Sequence, residues 1–185
     1  KTQTCQQLMG NLPAVRLQPT RAFKHSGLDY AGPINSKLSS LRTASTTKAY
    51  ICLFVCMCTK AIHLEAVTSL NVDAFIAAYR RFTSRRGICK DLYSDCGTNF
   101  VGANKELQVL YQRNKSSLPE YLLETLANQG TKWHFIPPAS PNFGGLWEAG
   151  VKSTKHHLRP IMKDRILTFE ELSTLLAQIE SCLNS

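Results

Sequence analysis

The sequence predicts an α/β protein, a mixed five-stranded sheet flanked by helices. Three observations carry that expectation. Two apolar runs, Ala49 to Cys58 and Ala61 to Val67, stand close together and read as a hairpin. A segment with helical period follows from Asn71 to about Arg86, closed by Gly87. Strand and helix patterns then alternate along the rest of the chain, the order that β-α-β units require.

The elements follow in order. Lys1 to Lys24 is polar, basic and broken by Pro13 and Pro19, so residues 1–22 are expected to be a linker into a domain spanning 23–185. A first strand is expected over Gly27 to Ala31, ended by Gly32-Pro33. Asn35 to Thr47 is rich in Ser and Thr and is expected as an exposed hairpin loop. Ala49 to Cys58 is apolar almost throughout, as a strand covered on both faces must be. Asn71 suits the N-cap of a helix carrying Phe75, Ala78, Tyr79 and Phe82. Ile88 to Ser94 returns as a strand with Asp95 at its end. Helical patterns cover Ala103–Tyr111 and Pro119–Asn128, and Lys132 to Ile136 is a short strand. Gly144 to Arg159 reads as a helix stopped by Pro160, and Thr168 with Glu171 forms a capping box that opens a last helix.

Composition narrows the function classes. Hydrophobic residues make up 43 % of the 185, enough to bury a core and too many for a disordered chain. The longest apolar run, Ala49 to Cys58, is too short to cross a bilayer, and Lys1 to Gly10 has no signal-peptide core. No membrane association is expected. The seven cysteines are odd in number and three crowd one apolar run, which fits buried free thiols better than a disulfide framework. Cys56 and Cys58 have no second pair at zinc-site spacing. The net charge of +9 is uneven. Residues 1–50 hold a single acid, Asp29, and Val151 to Lys163 carries Lys152, Lys155, Arg159 and Lys163 with none. Such acid-free basic segments suit a polyanion such as nucleic acid.

Candidate chemistry gathers at the strand ends, where open α/β sheets place their sites. Asp29 and Asp95 both fall there, beside turn glycines and against apolar strand residues. Each alone could simply cap a turn. Glu148 follows Gly144-Gly145-Leu146-Trp147, in which glycines allow close approach and Trp147 offers an anchor. On a helix, Glu148, Lys152, Lys155 and Arg159 fall at i, i+4, i+7 and i+11 and share one face. A solvated face would normally mix signs; one acid leading three cations suits metal ligation beside a phosphate path. Phosphodiester chemistry by water or a 3′-hydroxyl uses two Mg²⁺ ions about 3.5–4 Å apart, and carboxylates supply the hard oxygens they need.

The motifs resemble a known family. Tyr93-Ser94-Asp95-Cys96-Gly97-Thr98-Asn99-Phe100 resembles the second-aspartate motif of retroviral and retrotransposon integrases. His25-Ser26-Gly27-Leu28-Asp29-Tyr30-Ala31-Gly32-Pro33 is similar to their first-aspartate strand. Pro137 to Glu148 is similar to the loop and helix bearing their glutamate. With Lys60-Ala61-Ile62-His63-Leu64-Glu65 between them, the wording is closest to the BEL/Pao group of long-terminal-repeat retrotransposons. The resemblance covers about Met9 to Ser185 and implies a ribonuclease-H-like fold. It implies an integrase that trims 3′ ends of element DNA with water and joins them to target DNA by transesterification. Asp29, Asp95 and Glu148 would be the catalytic residues and ligate two Mg²⁺ ions, with Mn²⁺ as a substitute. Lys152, Lys155, Arg159 and Asn142 would contact double-stranded DNA, and Ser140 to Gly145 would be a mobile loop. It further implies a homo-oligomer, no organic cofactor, and action in the nucleus after passage in a cytoplasmic particle.

The chain also departs from the family. Cys96 stands where Asn is common, and the interval from Asp95 to Glu148 is longer than in retroviral integrases, the excess falling near Tyr111 to Asn128. The family's amino-terminal zinc-binding domain and carboxy-terminal DNA-binding domain are not recognisable, so a truncated piece of a polyprotein product is expected. Two other readings compete. One is a decayed or host-recruited nucleic-acid-binding module of the same fold. The other is a ribonuclease H, which would want a fourth acid; Asp164 and Glu170 lie beyond Pro160, and Glu65 reads as a surface residue.

Overall fold

A computed structural model describes residues 14–41, 43–95, 130–135, 141–163 and 165–185. A short helix α1 (Ala14–Leu17) precedes strands β1 (His25–Lys37), β2 (Thr46–Cys56) and β3 (Ile62–Val67). Helix α2 (Val72–Arg86), strands β4 (Asp91–Ser94) and β5 (Lys132–Phe135), and helix α3 (Pro141–Met162) follow. Strand β6 (Leu167–Thr168) and helix α4 (Phe169–Asn184) complete the described chain. The sheet order is β3-β2-β1-β4-β5, with β6 paired to the far end of β1. The β1/β2 and β2/β3 pairs are antiparallel; β1/β4 and β4/β5 are parallel. This is the expected mixed five-stranded sheet with a two-residue sixth strand that the sequence reading lacks.

Period-two alternation along β2 splits the core in two. Cys52, Phe54 and Cys56 face α2 and pack with Phe75, Tyr79 and Phe82; Phe54 and Phe82 stack at 4.1 Å. Ile51, Leu53, Val55 and Met57 face the other way, onto Trp147 and Leu158 of α3 and Leu172, Leu176 and Ile179 of α4. Both faces are covered, which explains the unbroken apolar run. Helix α2 starts as the sequence indicates: the Asn71 side chain accepts from the Ala74 N–H, and Gly87 closes the helix at φ 82°. Thr168 and Glu171 form the reciprocal capping box of α4.

Four expectations need correction. Strand β1 does not stop at Gly32-Pro33 but bulges between Ala31 and Ile34 and continues to Lys37. Proline is tolerated there because the bulge takes it out of the ladder. The loop expected over Asn35–Thr47 is accordingly shorter, since Asn35 to Lys37 pair with Thr46 to Lys48. Pro160 lies inside α3 and forfeits one i−4 hydrogen bond there, and the helix stops two residues later at Met162. Residues 141–145, expected in a loop, form the first turns of α3. The helices expected at Ala103–Tyr111 and Pro119–Asn128 lie outside the described residues.

The edge strand β3 is buried at every position. An edge carries unpaired backbone groups that invite foreign strands. Here α4 covers them. Asn184 receives the Ile62 N–H and donates to the Ile62 carbonyl, both at 2.8 Å, and Glu180 accepts from the Leu64 N–H at 2.8 Å. Arg81 of α2 donates to the Ala66 carbonyl at 3.2 Å.

Candidate active site

Register brings two of the three acids together. In the parallel β1/β4 pair Gly27 lies opposite Tyr93 and Leu28 opposite Ser94, so Asp29 and Asp95 are the next residues on adjacent strands. Leu28 and Leu92 face α2, so alternation turns Asp29 toward the α3 side, the face shared by Tyr93. Asp29 is partly buried, its Oδ1 accepting from the Tyr30 N–H at 2.7 Å, while Asp95 is exposed just past the end of β4. Ser94 beside it accepts the indole N–H of Trp133 at 2.8 Å, which ties the end of β4 to β5.

Glu148 is brought over these strands by its neighbour. Trp147 is fully buried and packs against Gly27, where a Cβ would stand 2.3 Å from the indole ring. Only glycine in β1 leaves this room, and Gly27 is two residues before Asp29 on the same face. The Trp147 anchor thus fixes the register of α3 against β1, and truncating it would cost about 3–5 kcal/mol. One turn earlier Gly144 leaves a second opening: a Cβ there would stand 3.1 Å from Glu148 Oε1 and 3.7 Å from Asp95 Oδ1. Both carboxylates therefore border one point beside the helix start. Gly150 continues the close approach: a Cβ there would stand 3.1 Å from Val55 of β2. The importance of Gly27 escaped the sequence reading; a glycine inside a strand, two residues from an acid, was the available signal.

Electrostatics tie the three acids into one group. Burial raises the Asp29 carboxyl to about 6, against a hydrogen bond from Tyr30, and the charges of Asp95 and Glu148 raise it further. Lys155 works in the opposite direction and is close enough to matter. Like charges held together await a counter-charge. Among the described residues, no three His, Cys, Asp or Glu side chains already enclose a point tightly enough to hold an ion. The donor chemistry nevertheless fits a hard divalent cation, being three carboxylates with no thiolate or imidazole among them.

The cations predicted for one face of α3 do share it. Glu148, Lys152, Lys155 and Arg159 are all exposed, and all four line an open groove with His156 and His157. Trp147, Thr154 and Leu158 hold the opposite, buried face. Asn142 lies in the first turn of α3, but its side chain is outside the described residues, as are residues 136–140 and Asp164. Glu65 is not a surface residue: it is 5 % exposed and bound by His63, Arg81 and Arg85. Its immediate neighbours Leu64 and Ala66 are apolar; one partner, His63, lies in the same strand and the two arginines come from α2. Among the described cysteines Cys52, Cys56, Cys58, Cys89 and Cys182 are free thiols, the expected state, though Cys182 is exposed. No described helix is long and apolar enough to cross a membrane.

No protein-family model matches the chain, and no curated protein sequence does. Solved structures do. The HTLV-2 integrase catalytic core domain, in complex with magnesium in a dimeric form, aligns with a TM-score of 0.58 at 14 % identity, over 89 % of this chain and 88 % of that one. A chain of the simian T-cell lymphotropic virus intasome, in complex with the PP2A regulatory subunit B56 gamma, aligns with a TM-score of 0.56 at 15 % identity. That match covers 91 % of this chain and 52 % of the other, so this chain spans about half of the intasome chain. At such identities the likeness establishes the fold: a mixed sheet flanked by helices, the ribonuclease-H-like fold of integrase catalytic cores.

Proposed function

We propose that this chain is a polynucleotidyl transferase core of the retroviral integrase superfamily, within it a BEL/Pao-type retrotransposon integrase. Its reactions are 3′-end processing and strand transfer of element DNA into target DNA. One observation carries the reading: β1/β4 register sets Asp29 beside Asp95, and the Trp147 anchor brings Glu148 to the same place. Residues 23–185 form this core and 1–22 the linker entering it. The magnesium in the HTLV-2 core supports a divalent metal here, and its dimeric form together with the intasome supports an oligomer acting on DNA. Double-stranded DNA as the partner, and action in the nucleus after passage in a cytoplasmic particle, belong to the same proposal.

Asp29, Asp95 and Glu148 would hold two Mg²⁺ ions, or Mn²⁺ in their place. Bound there, the ions would supply activation of the attacking water or 3′-hydroxyl and stabilisation of the leaving oxygen. The chain's own part is orientation and charge. Asp29 is fixed by its Tyr30 hydrogen bond and the sheet, and Glu148 by the Trp147 anchor. Lys152, Lys155 and Arg159 line up beyond Glu148, with Asn142 at the helix start, to take successive phosphates and keep the scissile bond over the acids. No side-chain nucleophile is required.

The test is resolution of a branched DNA that mimics the joined product, with Mg²⁺ or Mn²⁺. Glu148→Gln and Asp95→Asn should each lower the rate at least about a hundredfold, equivalent to about 2.7 kcal/mol, while DNA binding persists. An unchanged rate in Glu148→Gln would overturn the metal-triad reading. Folded, DNA-binding but inactive wild-type protein would favour the decayed module instead.

A further inference from the structure

Four residues before Asp29 and four before Asp95, at the entry of their strands, stand His25 and Asp91. The two are partners in the parallel β1/β4 ladder, and His134 of β5 lies opposite Tyr93 of β4. Strand alternation turns His25, Asp91, Tyr93 and His134 to the α3 side, the face of Asp29. Helix α3 packs on β1 and β2. On this face one carboxylate, Asp91, joins β4 to both of its neighbours, each of its oxygens meeting a different histidine.

The bridge is asymmetric. His134 donates from Nε2 to Asp91 Oδ1 at 2.7 Å, and its ring stacks on Tyr93 with centroids 4.8 Å apart. His25 Nδ1 stands 2.9 Å from the other oxygen, Oδ2, but is buried and out of line for a hydrogen bond. An aligned N–H···O contact survives loss of the imidazolium charge, as long as the facing nitrogen keeps its proton. A misaligned contact does not, because its attraction is that of charge alone. With His25 neutral, little holds its ring nitrogen against the carboxylate. Burial raises the Asp91 carboxyl, but His134 and then His25 outweigh it and hold it below its usual range. The Asp91 anion is therefore present throughout the range in which a histidine changes charge.

We propose that His25 and Asp91 are positioning residues for the Asp29–Asp95 pair, drawing β1 and β4 together only while His25 is protonated. The register that pairs His25 with Asp91 also sets Asp29 beside Asp95, about 13 Å further along. Strand β4 is only four residues long, so a change of spacing at its entry reaches its end. Among the described residues, the titratable and charged groups on this face near His25 are Asp91 and Tyr93 of β4 and Lys132 and His134 of β5. Burial raises the Tyr93 phenol, which stays neutral. Strand β2 sets Met57 beside His25 and α3 sets Trp147 over Gly27, neither of them titratable. The inference rests on the reading of Asp29 and Asp95 as metal ligands and adds its regulation: the pair is drawn together at acid to neutral pH and loosened above.

A double-mutant cycle at two pH values tests the contact itself. His25→Gln and Asp91→Asn, singly and together, are unfolded in urea without divalent metal at about pH 5.5 and about pH 8.5, on either side of the histidine range. Coupling between the two positions should change the folding equilibrium about fivefold at the lower pH and less than about twofold at the higher. Coupling equal at both, or absent at both, would overturn the tie. Its consequence for the acids is read as Mn²⁺ affinity, from the electron paramagnetic resonance of the free ion. Wild type should bind Mn²⁺ about fivefold tighter than His25→Gln near pH 6, and equally well near pH 8.5. Proton competition at Asp29 is common to both proteins and cancels in that ratio. Should His25→Gln fail to fold, Asp91→Asn supplies the same comparison. If Asp29→Asn binds Mn²⁺ as wild type does, the metal reading fails while the cycle stands. If binding needs Asp29 but wild type and His25→Gln hold Mn²⁺ equally near pH 6, the positioning role fails instead.

Discussion

The molecule holds two clusters of acids on opposite sides of one sheet, and they are built in opposite ways. On the α2 side, His63 is fully buried with its Nε2 3.0 Å from Glu65 and its Nδ1 3.2 Å from Glu180. Arg81 and Arg85 also bind Glu65, and Arg86 binds Glu180. Burial works against every charge here, yet hydrogen bonds from His63, Arg81 and the Leu64 N–H outweigh it and pull both carboxyls below their usual range, while the carboxylates raise His63. On the α3 side, Asp29 is pushed up to about 6 by burial and by two neighbouring carboxylates. One cluster is satisfied within the fold. The other sets Asp29 against the charges of Asp95 and Glu148, with Lys155 opposing them, an arrangement that suits a cation site.

The largest expected effect comes from breaking the satisfied cluster. Glu65→Ala leaves buried His63 and two arginines without their shared partner. A buried pair so broken typically loses about 3–5 kcal/mol, but Arg81 and Arg85 are 41 % and 60 % exposed and regain water, so a loss of about 2–3 kcal/mol is expected in urea unfolding. The pH window follows from the directions of the shifts. Glu65 and Glu180, depressed in the fold, stabilise above their unfolded value near 4.5 and lose this as pH falls through their folded values. His63, raised in the fold, stabilises below its unfolded value of 6.5 and loses this as pH rises through its folded value. The cluster therefore supports the fold best between these limits, and a stability profile indifferent to Glu65→Ala across that window would remove the contrast.

The Asp29 cluster should respond with the opposite sign. Asp29 has a raised folded pKa, so its contribution is present below 3.8 and is lost as pH rises through about 6. Asp29→Asn removes that penalty and should stabilise the metal-free protein by about 1–2 kcal/mol at pH 8, with the gain vanishing below pH 4. Added Mg²⁺ should raise the melting temperature of the wild type and not of the variant. A destabilising Asp29→Asn at pH 8 would mean that the favourable interactions of the carboxylate outweigh its burial and the charges of Asp95 and Glu148. On DNA, Lys152→Ala and Lys155→Ala should each flatten the slope of log affinity against log salt by about 1, checked by titration across salt concentrations.

The two clusters also differ in how far a sequence discloses them. Asp29 and Asp95 stood out because each interrupts an apolar strand beside a turn glycine, and Glu148 because it follows Gly-Gly-Leu-Trp. Strand alternation and helix period, both local, were enough to place them on elements. Their adjacency was not legible, since it depends on parallel register between β1 and β4, which no local pattern encodes. Gly27 and Trp147, distant in sequence, set the height of α3 over that register. The satisfied cluster was misread for the same reason: Glu65 is held by His63 two residues before it and by Arg81 and Arg85 of α2, and the strand pattern does not place those arginines over it. The continuation of β1 past Pro33 was hidden because a bulge permits what a regular ladder forbids.

The smallest effect tests whether the satisfied side is also a guarded edge. Asn184 spends both ends of its amide on the Ile62 backbone, the place where a foreign strand would otherwise add to β3. Asn184→Ala removes two hydrogen bonds, but Asn184 is itself exposed, so water can take the place of its amide and the loss should be about 1 kcal/mol, read as a shift in urea midpoint. The larger consequence should be kinetic and dependent on concentration. With Ile62 unpaired, the remaining protection of β3 is Glu180 on the Leu64 N–H and Arg81 on the Ala66 carbonyl. Asn184→Ala should therefore aggregate faster than wild type at equal stability, while Asn184→Gln should not restore the guard, because a longer side chain cannot keep the same two-point pairing. Equal aggregation rates for wild type and Asn184→Ala would mean that burial of β3 under α4, rather than this amide, keeps the edge closed.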